Sequence, residues 1–167
     1  MRATTLAASM TLPLLATLLL AGCAAAPAPP AASAPSAAVA ALTRQVADTE
    51  RAFAASLARR DFAAFQRFIA DDAVFYSSPA PLRGKPAVTA YWQRYFDGAE
   101  APFAWAPEEV DVLADGTLAA TSGPVRDAAG RTIARFYSVW RLEAPGRWRI
   151  VFDKGDVPCQ CVGRRQP

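Results

Sequence analysis

Histidine is absent from all 167 residues, so no imidazole can serve as acid, base or metal ligand near neutral pH. Cysteine occurs only at 23, 159 and 161. Without histidine or a second cysteine pair, a closed zinc site would need a partner subunit. The chain also lacks a basic block and any interleaving of aromatic with basic residues. Its 18 Lys and Arg are interspersed with 15 Asp and Glu, for a formal net charge of +3. Nucleic-acid binding therefore has no support. No internal repeat is visible, which sets aside solenoid architectures.

The amino terminus, MRATTLAASMTLPLLATLLLAGC, has one early positive charge at Arg2, an uncharged Leu- and Ala-rich stretch, and small residues before Cys23. This is the order of regions in a secretory signal. Leu20-Ala21-Gly22-Cys23 resembles the lipobox of bacterial lipoproteins, in which the cysteine thiol is acylated and becomes the first residue. The alternatives are an ordinary signal peptide or an uncleaved anchor, but the apolar run is short for a spanning helix. Several acyl chains on one residue would anchor the protein stably to a membrane. Under the sorting habit of Gram-negative lipoproteins, which the resemblance implies, Ala24, not being Asp, points to the periplasmic face of the outer membrane within the cell envelope. The next segment, AAAPAPPAASAPS, has no charge, aromatic or branched aliphatic residue. It cannot bury enough surface to offset its ordering, and its prolines favour an extended tether of roughly 40 Å.

Beyond the tether the chain is of single-domain size. In residues 39–60, Leu42, Val46, Phe53 and Leu57 recur on one helical stripe, with Arg44, Asp48, Arg51 and Arg59 off it, predicting an amphipathic helix. Asp61 can cap a second helix over DFAAFQRFIADD, which turns Phe62, Phe65, Phe68 and Ile69 inward and ends at Asp71 and Asp72. AVFYSS, residues 73–78, reads as a short strand. Pro86 suits the first turn of a third helix carrying Val88, Tyr91, Trp92, Tyr95 and Phe96. Turn signals at Asp115-Gly116, Gly130 and Pro145-Gly146 then separate FAWAPEEVDVLA, TLAATSGPVRD, RTIARFYSVWRLE and RWRIVFDKGD. Helices followed by an antiparallel meander predict an α+β layer fold.

DFAAFQRFIADDAVFYSS, the step Arg83-Gly84-Lys85 into a helix, and YSVWR followed by a Gly turn and WRIVFDKG together resemble the nuclear transport factor 2-like superfamily. Within it, the chain is most similar to the branch near SnoaL-like and ketosteroid isomerase-like domains. The resemblance covers about Leu42 to Gly155. It implies a cone: a strongly curved antiparallel or mixed sheet wrapped over three N-terminal helices, with a pocket at one end. It also implies dimerisation through the sheet. The expected boundaries are a lipoprotein signal peptide at 1–22, the lipidated cysteine and tether at 23–38, the nuclear transport factor 2-like domain at 39–157, and a Cys-x-Cys tail at 158–167.

The chemistry of that superfamily can be matched residue by residue. Steroid isomerisation needs a carboxylate base, a tyrosine donor and a protonated carboxylic acid donor. The matching positions carry Phe53 for the tyrosine, Ser77 or Ser78 for the base and Ser138 for the acid, so the set is missing. Dehydratase relatives use histidines, which the chain lacks. Of the Asp-Arg-Asp set of epoxide hydrolase relatives, Arg135, Tyr137 and Asp153 give only a partial echo.

If Pro145-Gly146 closes a two-residue hairpin loop, Ala144 pairs with Arg147, Ser138 with Asp153 and Trp140 with Val151. One face then carries Phe136, Ser138, Trp140, Val151 and Asp153. The other carries Tyr137, Val139, Arg141, Trp148, Ile150 and Phe152. The matched Ser138 position assigns the first face to the cavity and the second to a partner subunit; a one-residue slip or bulge would exchange these roles.

Asp153 can be a proton-transfer or ligand-binding carboxyl, or a structural anchor for backbone amides or an arginine. Trp92, Tyr95, Phe136 and Trp140 are the candidate ligand contacts, with ordinary core packing the alternative. Cys159 and Cys161 can form a disulfide, stay free or hold a metal; export and the blocked Cys23 favour the disulfide. The expected function is a membrane-anchored lipoprotein with a domain that binds a small apolar ligand or dimerises, without a cofactor. The alternative is a hydrolase- or isomerase-type enzyme using Asp153 with Ser138, Tyr137 or Arg135.

Overall fold

A computed structural model describes residues 36–76 and 79–156. Cys23, Ser77, Ser78, Cys159 and Cys161 lie outside the described residues. Helix α1, Ala37–Ala58, begins where the Ser36 hydroxyl accepts from the Val39 amide at 3.2 Å. Its inward stripe is Val46, Glu50, Phe53 and Leu57, all buried, with Leu42 partly buried beside it. Asp61 caps α2, Phe62–Arg67, accepting from the Ala64 amide at 2.8 Å.

The second helix is shorter than its sequence pattern predicts. Strand β1, Ile69–Tyr76, starts almost at once, because the Phe68 carbonyl accepts from the Ile150 amide at 2.8 Å and draws the chain into parallel pairing with β7, Arg147–Asp156. Ile69 is buried as the pattern requires, but from a strand. Asp71 and Asp72 are exposed strand residues rather than helix-end residues. Asp72 makes two hydrogen bonds with the Arg141 guanidinium, at 2.8 and 3.0 Å. Such an exposed ion pair contributes little stability.

Strand β2, Leu82–Arg83, leads through Gly84 into α3, Lys85–Trp92, with Pro86 in its first turn. The third helix does not stay α-helical to Phe96: it tightens to a 3₁₀ turn over Gln93–Phe96. The Arg60 guanidinium holds the far end of that turn by donating to the Tyr95 and Gly98 carbonyls.

The stretch expected as one long strand is divided into β3, Ala104–Trp105, and β4, Glu109–Val112. The link between them presses on β5, Leu118–Arg126. A Cβ at Gly123 would lie 2.1 Å from the Ala106 carbonyl oxygen, so this close backbone approach requires glycine. The long hairpin of β6, Thr132–Ala144, with β7 completes the sheet. Gly116 and Gly146, at φ +71° in both cases, supply the left-handed conformation that the hairpin turns need.

The strand order is β2-β1-β7-β6-β5-β3, with β4 also paired to β5. Among the described strands only β1 with β7 is parallel. The result is a curved, open mixed sheet with the helices on one side, an α+β fold. Helix α1 packs on β3, β4 and β5, and α3 on β1 and β2.

The β6–β7 register keeps Ala144 opposite Arg147 and Ser138 opposite Asp153, but Trp140 faces Ile150 rather than Val151. Glu143 is an extra residue on β6, and Val151 an extra residue on β7, where Val139 pairs with Phe152. A bulge of this kind re-aims the following side chains. Trp148 and Ile150 therefore turn inward, 1 % and 0 % exposed, and are removed from the expected partner face. Past the bulge Asp153 points to the helix side as well. The outer face keeps Phe152, Tyr137 and Tyr76, all exposed, with the Tyr76 and Phe152 rings stacked at 6.4 Å.

Candidate functional site

Between the sheet and the segment from α3 to β3 lies a cavity of about 340 Å³. Aromatic residues dominate its wall because the apolar stripes of α1 and α3 aim their largest rings at the inner face of a curved sheet. Phe53 comes from α1, Tyr91 and Trp92 from α3, Tyr95 from the 3₁₀ turn, and Trp105 from β3. The sheet adds Phe75, Phe136, Asp153 and Gly155, and Tyr76, the last residue of β1, borders the cavity although its exposed ring also stacks on Phe152. Within the wall, Trp92 meets Tyr95 edge to face at 5.3 Å, and Phe53 meets Trp105 at 5.3 Å.

Asp153 is the only carboxylate among the described residues that line the cavity. The Ser138 hydroxyl donates to its Oδ2 at 2.8 Å. Burial pushes the Asp153 carboxyl up to about 7; the bond from Ser138 opposes this, and the charge of Glu50 reinforces it. A carboxyl so placed is partly protonated at neutral pH and can either donate or accept a hydrogen bond.

Glu50 stands behind this wall, fully buried. Its Oε1 accepts from the Trp105 indole at 2.7 Å. Its Oε2 accepts from the Thr121 hydroxyl at 2.6 Å and the Trp140 indole at 3.0 Å. Burial raises its carboxyl above the ordinary range, with the three donors pulling the other way. The cluster ties α1 to β3, β5 and β6, and fixes the Trp105 ring that forms part of the wall.

Residues 50–151 match the SnoaL-like domain. The chain belongs to this family. Among solved structures it is similar to a nuclear transport factor 2-like protein of unknown function from Pseudomonas putida KT2440, at 21 % identity and a TM-score of 0.59 over 71 % of this chain and 88 % of that one. It is also similar to a protein of unknown function with a cystatin-like fold from Nostoc punctiforme, with 14 % identity, a TM-score of 0.55, and coverage of 76 % and 97 %. A nuclear transport factor 2-like superfamily protein from Salmonella enterica gives 14 % identity, a TM-score of 0.54, and coverage of 77 % and 99 %. At these identities the likeness is one of fold. Comparison with curated proteins gives no match.

In this SnoaL-like domain the structure brings Asp153, Ser138, Trp92, Tyr95 and Phe136 together at the cavity, with Ser138 just behind the lining. It sets three candidates apart. Trp140 is 0 % exposed and is not a lining residue, because its indole is turned into the core toward Glu50 and Thr121. Tyr137 and Arg135 alternate with the inward Phe136 and Ser138 and so lie on the outer face. There Arg135 pairs with Glu108 and Glu109, at 3.1 and 2.8 Å. Neither reaches Asp153.

Glu50 is the residue that pattern reading passes over. Its signal was its position: a lone acid on the stripe of Val46, Phe53 and Leu57, where an amphipathic helix has no reason to place a charge unless partners wait inside.

Proposed function

We propose that this SnoaL-like domain binds a small, mainly apolar ligand in the aromatic cavity, with Asp153 meeting the ligand's polar group. The observation that carries the reading is a preformed cavity of about 340 Å³ whose aromatic wall, among the described residues, contains a single carboxyl, the usual makeup of a small-molecule site. Gly155 supplies the test. It lines the cavity, and a Cβ there would meet nothing within 4 Å, so a larger side chain can fill the space. Gly155→Leu is expected to weaken binding of the neutral probe N-phenyl-1-naphthylamine about tenfold or more, roughly 1.4 kcal/mol, while melting within a few degrees of wild type. Unchanged probe affinity in a folded variant would place binding elsewhere.

The rival reading, acid–base catalysis, draws on the Asp153 carboxyl titrating at about 7, where a proton-transfer group works best. Against it, the geometry keeps Arg135 and Tyr137 away from that carboxyl.

We also propose that the domain is carried on the periplasmic face of the outer membrane by lipid on Cys23, a reading supported by Leu20-Ala21-Gly22-Cys23. Cys23→Ser should abolish palmitate incorporation and release the protein from membranes; wild-type membrane partitioning of the variant would contradict the anchor. A sheet-to-sheet homodimer is supported by the exposed Tyr76, Tyr137 and Phe152 on the outer face. Sedimentation should show a dimer that Phe152→Glu dissociates. A monomeric wild-type protein at tens of micromolar, on the scale of a modest interface of about −8 kcal/mol, would overturn that assembly.

A further inference from the structure

The charge balance of the cavity is one-sided. Among the described residues its lining includes no Lys or Arg, and the one carboxylic acid there, Asp153, is met by the neutral hydroxyl of Ser138. The second acid, Glu50, lies behind Trp105, and its partners Trp105, Thr121 and Trp140 are neutral donors. Among the described residues neither carboxyl takes part in an ion pair. A buried acid such as Glu50 is ordinarily matched by a cation or held neutral, and the half-buried Asp153 opens onto the cavity without one. The faces of tryptophan, tyrosine and phenylalanine are also negative in their quadrupole and draw cations, most strongly where water is excluded. Both fields in this cavity favour the same sign of guest.

Building on the reading of the cavity as a ligand site, we propose that its ligand is a small organic cation, an amine or quaternary ammonium on an apolar body, with the charge beside Asp153 and against the aromatic wall. Two rings of that wall already hold a cation. The Arg94 guanidinium lies 3.7 Å from the Tyr91 centroid and 4.7 Å from that of Tyr95, although Arg94 itself is exposed and does not line the cavity.

Ser138 from β6 donates to Asp153, the charge of Glu50 from α1 acts on it from behind the wall, and the titratable groups that share the cavity lining with it are Tyr76 from β1, Tyr91 from α3 and Tyr95 from the 3₁₀ turn. On its own strand, exposed Lys154 pairs with Asp156 at 2.8 Å. The first group contains no base. Between pH 5 and 8 the response to a cation is therefore set by Asp153, the carboxyl that lines the cavity. A permanent cation stabilises the ionised Asp153 carboxyl and displaces its proton, so affinity must rise as that proton leaves.

Phenyltrimethylammonium and its uncharged isostere tert-butylbenzene separate charge from shape. Calorimetry or quenching of tryptophan fluorescence on the wild-type protein should show the cation binding about 30-fold or more tightly at pH 8 than at pH 5. The isostere should show no such rise. Asp153→Asn should remove the pH dependence and weaken the cation at pH 8 by about 30-fold or more, to near its wild-type affinity at pH 5, while retaining the isostere. If the cation binds no better than the isostere at pH 8, or its affinity does not rise with pH, the cation inference is overturned. Binding of the isostere, lost in Gly155→Leu, would then leave the apolar-ligand reading standing. Failure of both probes to bind would overturn both.

Discussion

Glu50→Ala should lower stability by about 3 kcal/mol or more, enough to drop the melting temperature by about 10 °C. The side chain is 0 % exposed, and its carboxyl is the acceptor for the Trp105 indole, the Thr121 hydroxyl and the Trp140 indole. Removing it leaves the Trp105 and Thr121 donors without their acceptor in low dielectric. Trp140 keeps one alternative, since its indole also donates to the Thr121 oxygen at 3.1 Å. Glu50→Gln should cost less, because the amide retains one carbonyl oxygen but sets an NH₂ against donors. Thermal and urea unfolding of both variants checks the order. A loss below about 1 kcal/mol for Glu50→Ala would show that the cluster does not hold α1 to the sheet, since even a single buried unsatisfied donor costs about that much.

The second large effect is a dependence of stability on pH. The Asp153 carboxyl is raised to about 7 in the folded protein, whereas an unfolded aspartate titrates near 3.9. Because the folded pKa is the higher, the folded state binds more protons between these values. Its contribution is complete below about 3.9 and is lost as pH rises through about 7. From pH 5 to pH 8 this amounts to about 2–3 kcal/mol, with the raised Glu50 acting in the same direction. The carboxylates lowered by their partners, exposed Asp72, Glu109 and Asp115 and half-buried Asp127, work oppositely. They lose stability only as pH falls through the acid range, outside this window. Denaturant unfolding at pH 5 and pH 8 should therefore show the wild type more stable at pH 5. Asp153→Asn should remove most of that difference by gaining relative stability at pH 8. An equal slope in the variant would assign the pH dependence to other groups.

Much of this architecture is local and was legible in residue order. The α1 stripe, the Asp61 cap, Pro86 at the start of α3, and the turns at Gly116, Gly130 and Gly146 each rest on contacts within a few residues. The pairing of Ser138 with Asp153 followed from the turn, because Glu143 and Val151 are extra residues on opposite strands and their shifts cancel by that point. What stayed hidden depends on distant parts of the chain. Ile69 suits a helix or a strand equally, and the hydrogen bond from Ile150 to the Phe68 carbonyl decides between them. The inward turn of Trp148 and Ile150 depends on the bulge at Val151, which no periodicity announces. Glu50 shows in the sequence only as an acid on the apolar stripe, and its partners Trp105, Thr121 and Trp140 come around it from three strands. The aromatic residues of α3 were visible as apolar, but their opening onto a cavity rather than a filled core depends on the curvature of the sheet.

The central claim is that Asp153 faces an apolar aromatic cavity as a carboxyl poised near neutrality. A pH titration of its side-chain carbonyl carbon by ¹³C NMR, with the resonance assigned by its absence in Asp153→Asn, tests this directly. A midpoint near 7 is expected in the free protein, moving well down when phenyltrimethylammonium is bound. A midpoint near 3.9, the value of an ordinary solvated aspartate, would contradict it.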